Sequence, residues 1–470
     1  MNESIFDYHM PYLPKDRKAW LVGGAVRDIL LGKTPTDLDI ITADNAFEYA
    51  QRLAQKLGAR PIKLGKAPFT IHRISNSGYV YDIANLNGLS IEQDLLKRDF
   101  SINAIAWELP CGGMIDCTNG YKDIKQKIIR IVSDIVFKND PIRLLRAFRL
   151  ACTLKFQIEK KTFLAIKNHA HLVKTAAAER IQIELLKILG TPNCTETIVA
   201  MKGTGVLQCI LPEVTKLEKC HQNQYHDFDA YHHTITALSA LEEILTAPEI
   251  IFKPEYIFFK TANFIQNPEQ LKLALLLHDI GKPSSHSVSF DGKIHFHHHE
   301  KVGMFMAEKI SRRLALSNNL RTYITSIIEN HLYPMLLFLE DKKGHLSKRT
   351  TIKLFRKIKE LTPDLLLHAA ADFAGKKKSN DHVVIPPEFI NFSQKLSKYY
   401  FNYIESTQNH PPLITGYDLI KNFGLTPSPL FKTILDAVEE GRLTDQLKGR
   451  SEALRWVKSF LDKNRTKHGS

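Results

Sequence analysis

The chain has 470 residues, 44% hydrophobic and 24% charged. At about 100–200 residues per domain it holds two to four domains, and this composition argues against disorder, collagen-like repeats and a disulfide scaffold. Lys and Arg outnumber Asp and Glu by 64 to 50, a net charge of +14 that favours a polyanionic partner, nucleic acid ahead of an anionic membrane surface. Six cysteines without a Cys-x-x-Cys pair read as reduced thiols. The first residues show no apolar run behind a basic segment. The most apolar later stretch, Leu271 to Leu277, is far shorter than the ~20 residues of a membrane span. The reading is a cytoplasmic chain with no membrane partner.

In chain order, Ala19 to Val22 reads as a strand entering Gly23-Gly24, and Ala25 to Leu31 as one or two helical turns stopped by Gly32. A strand at Leu38 to Thr42 follows, then Phe47, Ala50, Leu53, Ala54 and Leu57 at helical spacing before Gly58. Strands resume near Pro61 to Leu64, Phe69 to Ile74 and Tyr79 to Ala84, so the first 120 or so residues read as a small mixed α/β domain. Beyond Tyr121 the period becomes helical, at Pro141 to Leu154, Lys160 to His169 and Ala176 to Leu189, and the rest of the chain reads as helical. Polar breaks at His221 to Tyr231 and Gly375 to Asp381 mark candidate boundaries.

Gly23-Gly24 sits at a strand-to-helix turn, where missing side chains let backbone amides approach a phosphate. A glycine pair alone is more often just a tight turn. Asp37-Leu38-Asp39 places carboxylates at i and i+2 on one face of a strand, able to share divalent cations. Alone, that too is more often a turn or cap. Thirteen residues apart, the two point together to phosphoryl transfer.

Gly23-Gly24-Ala25-Val26-Arg27-Asp28 followed by Asp37-Leu38-Asp39 resembles the class II tRNA nucleotidyltransferase and bacterial poly(A) polymerase family. Lys97-Arg98-Asp99-Phe100-Ser101-Ile102-Asn103-Ala104 extends the resemblance, with Lys97 in place of an Arg, and so does Asn139-Asp140-Pro141-Ile142-Arg143, with Asn139 in place of a Glu. The resemblance implies an α/β, polymerase-beta-like head with a mixed sheet, followed by an all-α neck, an HD domain and a C-terminal body. It implies Mg²⁺ on the catalytic carboxylates Asp37 and Asp39, and a triphosphate cradled by Gly23, Gly24 and Arg27. Arg98, Asp99 and Asn103 would place the nucleotide, and Asp140 and Arg143 would read the base edge with Arg146 nearby. The i, i+3 spacing puts Asp140 and Arg143 on one helical face, where a plain ion pair is the competing reading. A carboxylate accepts from the amine common to C and A, and Arg donates to a ring acceptor. Glu179 to Leu185 resembles a structural neck segment, and Asp82 is a weaker candidate for a third carboxylate.

His278-Asp279-Ile280-Gly281-Lys282-Pro283 after an apolar helix, with His233, His299, His331 and Asp372 in that order, resembles the HD phosphohydrolase superfamily. By that resemblance His233, His278, Asp279 and Asp372 bind a first metal, with His232 as a substitute for His233, and His299 and His331 serve a second metal or a phosphate. Mixed imidazole and carboxylate ligation suits Mn²⁺, Ni²⁺, Fe²⁺ or Mg²⁺. Lys342 to Lys359 carries eight cations and no Asp or Glu, a track for a phosphate backbone or a solvated helix face. Thr415 to Leu419 resembles the body of HD-containing nucleotidyltransferases.

The resulting division is a head over 1–135, a neck over 136–220, an HD domain over 221–380 and an RNA-binding body over 381–470. The leading expectation is an enzyme adding C and A to the tRNA 3′ end from CTP and ATP, as monomer or homodimer, with an HD phosphohydrolase activity. A poly(A) polymerase and a CC-only or A-only enzyme are the near alternatives. An HD phosphohydrolase with a non-catalytic RNA-binding head, and a non-catalytic RNA-binding or chaperone protein, are the distant ones.

Overall fold

The computed structural model describes residues 11–65, 70–110, 112–220, 229–252, 263–376, 385–409 and 411–465. Phe69, Cys111, residues 221–228 of the first polar break, and Lys377 and Lys378 of the second lie outside them. Two compact units divide at Pro212 and Glu213.

In the first unit, seven described strands form one sheet: β1 (Ala19–Val22), β2 (Asp37–Thr42), β3 (Ile62–Leu64), β4 (Ile71–Asn76), β5 (Tyr79–Asn85), β6 (Ala106–Leu109) and β7 (Met114–Ile115). Their order is β3-β4-β5-β2-β1-β6-β7. β2 and β5 run parallel and the other neighbours antiparallel, so the sheet is mixed. β1 is apolar throughout, not alternating, because it lies inside the sheet and is buried on both faces. Across the sheet Val22 pairs with Asp39, Asp39 with Asp82, and Asp82 with Arg73, so one row carries three charged side chains.

Helix α1 (Gly24–Leu30) leaves the glycine turn. Helix α2 (Ala46–Leu57) is capped by the Asn45 side chain and closed by Gly58 at φ +65°. Helix α3 (Ile91–Leu95) contributes Ile91 and Leu95 to a core with Trp20, Val22, Ile41, Ala104 and Ala106. The unit ends in helices, among them α4 (Arg143–Leu154), α5 (Lys160–His169) and α6 (Ala178–Leu189). The helix expected from Pro141 begins at Arg143, and Asp140 is extended at φ −149°. Pro141 disfavours helical geometry in the residue before it. Asp140 therefore precedes the helix, and the expected shared helical face with Arg143 is corrected.

The second unit is mainly helical, with α7 (Ala230–Thr246), α8 (Pro268–Leu277), α9 (His299–Arg313), α10 (Asn318–Asn330), α11 (Lys348–Ile358), α12 (Thr362–Ala374), α13 (Pro387–Asn409), α14 (Gly416–Phe423), α15 (Pro429–Leu443) and α16 (Arg450–Arg465). α7 packs on α8 and α12, and α9 on α10. One departure from the helical expectation is a hairpin of His286–Val288 with Ile294–Phe296, turned at Asp291-Gly292 with Gly292 at φ +78°. A separate apolar cluster of Ile414, Leu419, Ile434, Val438, Ala453 and Val457 ties α14, α15 and α16, and a Thr415–Asp418 capping box starts α14. Among the described residues no helix is long and apolar enough to cross a membrane. Cys117, Cys152, Cys194, Cys209 and Cys220 are free thiols.

Candidate active sites

The first site lies where β1 turns into α1 beside the start of β2. Leu38 is buried while Asp37 and Asp39 face solvent on the same side of the strand. Gly23 takes φ +74°, and a Cβ there would stand 3.0 Å from Arg98 Nη1 and 3.2 Å from Asp39 Oδ2. The glycine thus supplies the left-handed turn and the room for a cation and a carboxylate beneath it. Partial desolvation raises the Asp39 carboxyl above its ordinary pKa, and Asp82 and Asp37 add to this against the pull of Arg98. Clustered carboxylates that disfavour one another's charge are the donor set a hard divalent cation relieves, so such a cation fits here. Asp82 is gripped by both arms of Arg73 at 2.8 and 2.7 Å, which leaves Asp37 and Asp39 as the more available pair.

Behind the turn runs a chain of polar contacts. Arg27 Nη1 donates to Asn103 Oδ1 at 2.7 Å, and Asn103 Nδ2 donates to Asp99 Oδ1 at 3.1 Å. Arg146 Nη1 donates to Asp99 Oδ2 at 3.0 Å, and Arg98 Nε to Asp94 at 3.1 Å. Burial acts to raise the Asp99 pKa, but Arg146, Asn103 and the Phe100 N–H outweigh it and hold the carboxyl below its usual value. Arg143 Nη1 reaches the Lys97 carbonyl at 3.3 Å, so five of the expected nucleotide-contacting residues, Arg27, Asp99, Asn103, Arg143 and Arg146, meet in one network around the Lys97–Asn103 segment. Asp140 lies 3.9 Å from Arg143 Nε, whereas Arg180 holds both Asp140 oxygens at 2.9 Å. Arg180 came from the segment read as structural; forty residues separate the pair, and no local period signals it.

The second site lies among α7, α8, α9, α10 and α12. His233, His278, Asp279, His299, His331 and Asp372 are all buried. They form two triads of convergent ligand atoms: His233, His278 and Asp372, and Asp279, His299 and His331. Asp279 adjoins both, with Oδ2 at 3.0 Å from His278 Nε2 and 3.6 Å from His233 Nε2, and Oδ1 at 3.5 Å from His299 Nε2. His233 Nε2 lies 2.9 Å from Asp372. His278, His299 and His331 each set Nδ1 against a backbone carbonyl three residues earlier, at 2.7, 2.9 and 2.7 Å. A carbonyl only accepts, so each Nδ1 carries a proton and each Nε2 faces inward; burial lowers the His278 pKa, but Asp279 and Asp372 outweigh it and push it up to about 10, so its Nε2 holds a proton that a cation would displace. His299 Nε2 and His331 Nε2 then face one another at 3.3 Å. Inward imidazole nitrogens beside carboxylates form a donor set suited to divalent cations. Burial would raise Asp279 and Asp372, but the histidines with Lys282 and Lys376 hold both well below the usual carboxylate range.

The structure gathers all six HD candidates and separates His232, which is exposed and bound to Asp229 at 2.9 Å. Two residues beside the centre escaped sequence reading. Lys282 is buried with Nζ 2.6 Å from Asp279 Oδ2, and His368 is fully buried one turn before Asp372. Their offsets, three residues after Asp279 and four before Asp372, are the helical signal that was available. In the basic interval, Lys348 pairs with Asp445 at 2.5 Å, and Arg349 and Arg356 pair with Glu440 and Asp436 of α15. Lys342 and Lys353 are exposed.

The fold and sites define a carboxylate-bearing transferase head joined in sequence to a histidine-rich helical domain. Known proteins agree along the chain: a poly A polymerase head domain matches residues 19–130, a probable RNA and SrmB-binding site of polymerase A matches 155–217, and an HD domain matches 230–372. The A-adding tRNA nucleotidyltransferase of Deinococcus radiodurans is 28% identical over 97% of this chain and 99% of its own. The CC-adding tRNA nucleotidyltransferase of Synechocystis sp. is 29% identical over 94% of both. The Thermotoga maritima CCA-adding enzyme, solved with tRNA, shares the fold at a TM-score of 0.64 and 22% identity, covering 98% of this chain and 96% of that one. The chain is thus similar, in order, to a poly A polymerase head, an RNA-binding segment and an HD domain, and along nearly its whole length to tRNA nucleotidyltransferases.

Proposed function

We propose that this chain is a template-independent nucleotidyltransferase that builds the CCA end of tRNA from CTP and ATP in the cytoplasm. The observation that carries this reading is the Asp37–Asp39 pair beside the Gly23 turn, backed by the Arg27–Asn103–Asp99–Arg146 chain. Magnesium on the two carboxylates supplies charge that activates a 3′-hydroxyl and neutralises departing pyrophosphate. Gly23 and Gly24 leave the turn open to phosphate, and Arg27 and Arg98 hold the triphosphate charge. Asp99 and Asn103 orient the sugar. Asp140 accepts from the amine that C and A share, and Arg143 donates to the ring, while the Arg180 fork fixes the carboxylate plane. The net charge of +14 favours capture of tRNA through its backbone.

The HD centre is proposed as a phosphoesterase, whose divalent ions supply Lewis acidity for phosphoester hydrolysis. The relatives matched along more than nine-tenths of the chain are named A-adding and CC-adding, which favours partial addition as the second reading. The test supplies purified protein and Mg²⁺ with CTP, ATP or both to three acceptors: tRNA lacking CCA, tRNA ending in CC, and an unstructured RNA. Sequencing of 3′ ends is expected to show extension to CCA on tRNA alone. A stop at CC, or action only on the CC-ended acceptor, establishes partial addition, and long A tails on every RNA establish a poly(A) polymerase.

A further inference from the structure

His368 stands on α12 one helical turn before Asp372, fully buried, and touches a ring from each triad. Its ring centroid is 5.2 Å from that of His278 and 5.7 Å from that of His331. Neither Nδ1 nor Nε2 has a hydrogen-bond partner among the described residues. A neutral imidazole carries one N–H and one lone pair, and burying both unmet is strongly unfavourable. The edge-to-face contact with His278 offers at most a weak N–H to ring interaction and does not serve the second nitrogen. His278, His299 and His331 each anchor one nitrogen on a carbonyl and turn the other inward. His368 has no such anchor, and an apolar residue would fill its place without the polar cost.

We propose that His368 is a further metal-binding residue of the HD centre, its imidazole joining the coordination of a divalent ion held by the two triads. This rests on the reading of those triads as a metal centre. A fifth imidazole among two carboxylates shifts the donor set towards nitrogen, so the ion it serves is of the borderline transition class, Co²⁺, Ni²⁺ or Fe²⁺, ahead of Mg²⁺.

Full-length protein, stripped by a chelator, is titrated with Co²⁺ and followed by visible absorption and calorimetry, in wild type, His368→Phe and His368→Gln. Phe keeps the bulk and removes both nitrogens, whereas Gln keeps one donor and one acceptor. His368→Phe is expected to weaken Co²⁺ binding about tenfold or more and to change the d–d bands, with His368→Gln intermediate. A His368→Phe protein with wild-type affinity and bands overturns the proposal while leaving the metal centre standing. Wild-type protein that takes up no Co²⁺ removes the metal reading and this proposal together. If the Phe variant fails to fold, His368→Gln decides on the same two readouts, and wild-type affinity and bands there overturn the proposal as well.

Discussion

Asp99 shows how one side chain sets the local structure of the transferase site. Its two oxygens take Arg146 on one side and Asn103 with the Phe100 N–H on the other, so the carboxylate fixes both the Lys97–Asn103 segment and α4. Asp99→Asn removes the charge facing Arg146, which is itself one-third exposed, so the cost is about 1–3 kcal/mol and not the larger value of a fully buried pair. The sign with pH follows from the lowered folded pKa. Stabilisation from Asp99 is complete above the unfolded value near ~3.9 and is lost as pH falls through the lower folded one. The gap in urea midpoint between wild type and Asp99→Asn is expected to hold constant from pH 8 to 5 and to narrow below about 4. Trp20 and Trp107, both in the first unit, report it by fluorescence. A gap that already narrows between pH 7 and 5 would assign the effect to another group. Residues of this kind were legible when their partners lay nearby. Asp37 and Asp39 follow from the two-residue period of a strand, whereas Arg180 on Asp140 depends on how helices forty residues apart meet.

Elements position the HD centre through close backbone approach more than through side-chain bulk. A Cβ on Gly281 would lie 2.2 Å from the His299 carbonyl oxygen and 2.6 Å from the Gly303 nitrogen, so the turn after α8 and the first turn of α9 pack with no room for a methyl group. That contact brings His299 to Asp279. Gly281→Ala must push α9 away, and it is expected to cost about 1–3 kcal/mol or more and to weaken divalent-ion uptake together. Differential scanning fluorimetry with and without Co²⁺ checks both, and an unchanged melting temperature with unchanged uptake would show that the turn has slack. The order His, His-Asp, His, His, Asp made the buried cluster readable, but the place of Asp279 between two triads was not, because its oxygens are assigned by five helices meeting in space. Likewise the helical period ran through Pro141 on paper. The pre-proline rule, also written in the sequence, ended it there in the structure.

At the scale of the molecule, the two centres draw on different units. Every residue of the transferase network lies before Pro212, and every residue of the two HD triads lies after Glu213. The two donor sets come from separate stretches of the chain, so the two chemistries are expected to separate by mutation. Asp39→Ala removes one of the two exposed strand carboxylates without disturbing the buried core of β2, and it is expected to lower nucleotide incorporation into tRNA about 10²–10³-fold or more. Hydrolysis of a model phosphodiester should stay within about twofold in that variant. His278→Gln reverses the pattern: the inward Nε2 beside Asp279 and Asp372 goes, Co²⁺ uptake and hydrolysis fall, and incorporation stays near wild type. Both activities are measured on the same preparations, with far-UV circular dichroism confirming the fold. Equal loss of incorporation in a folded His278→Gln protein would make the HD centre part of the transfer reaction, and full incorporation by Asp39→Ala would move the transfer chemistry away from β2 altogether.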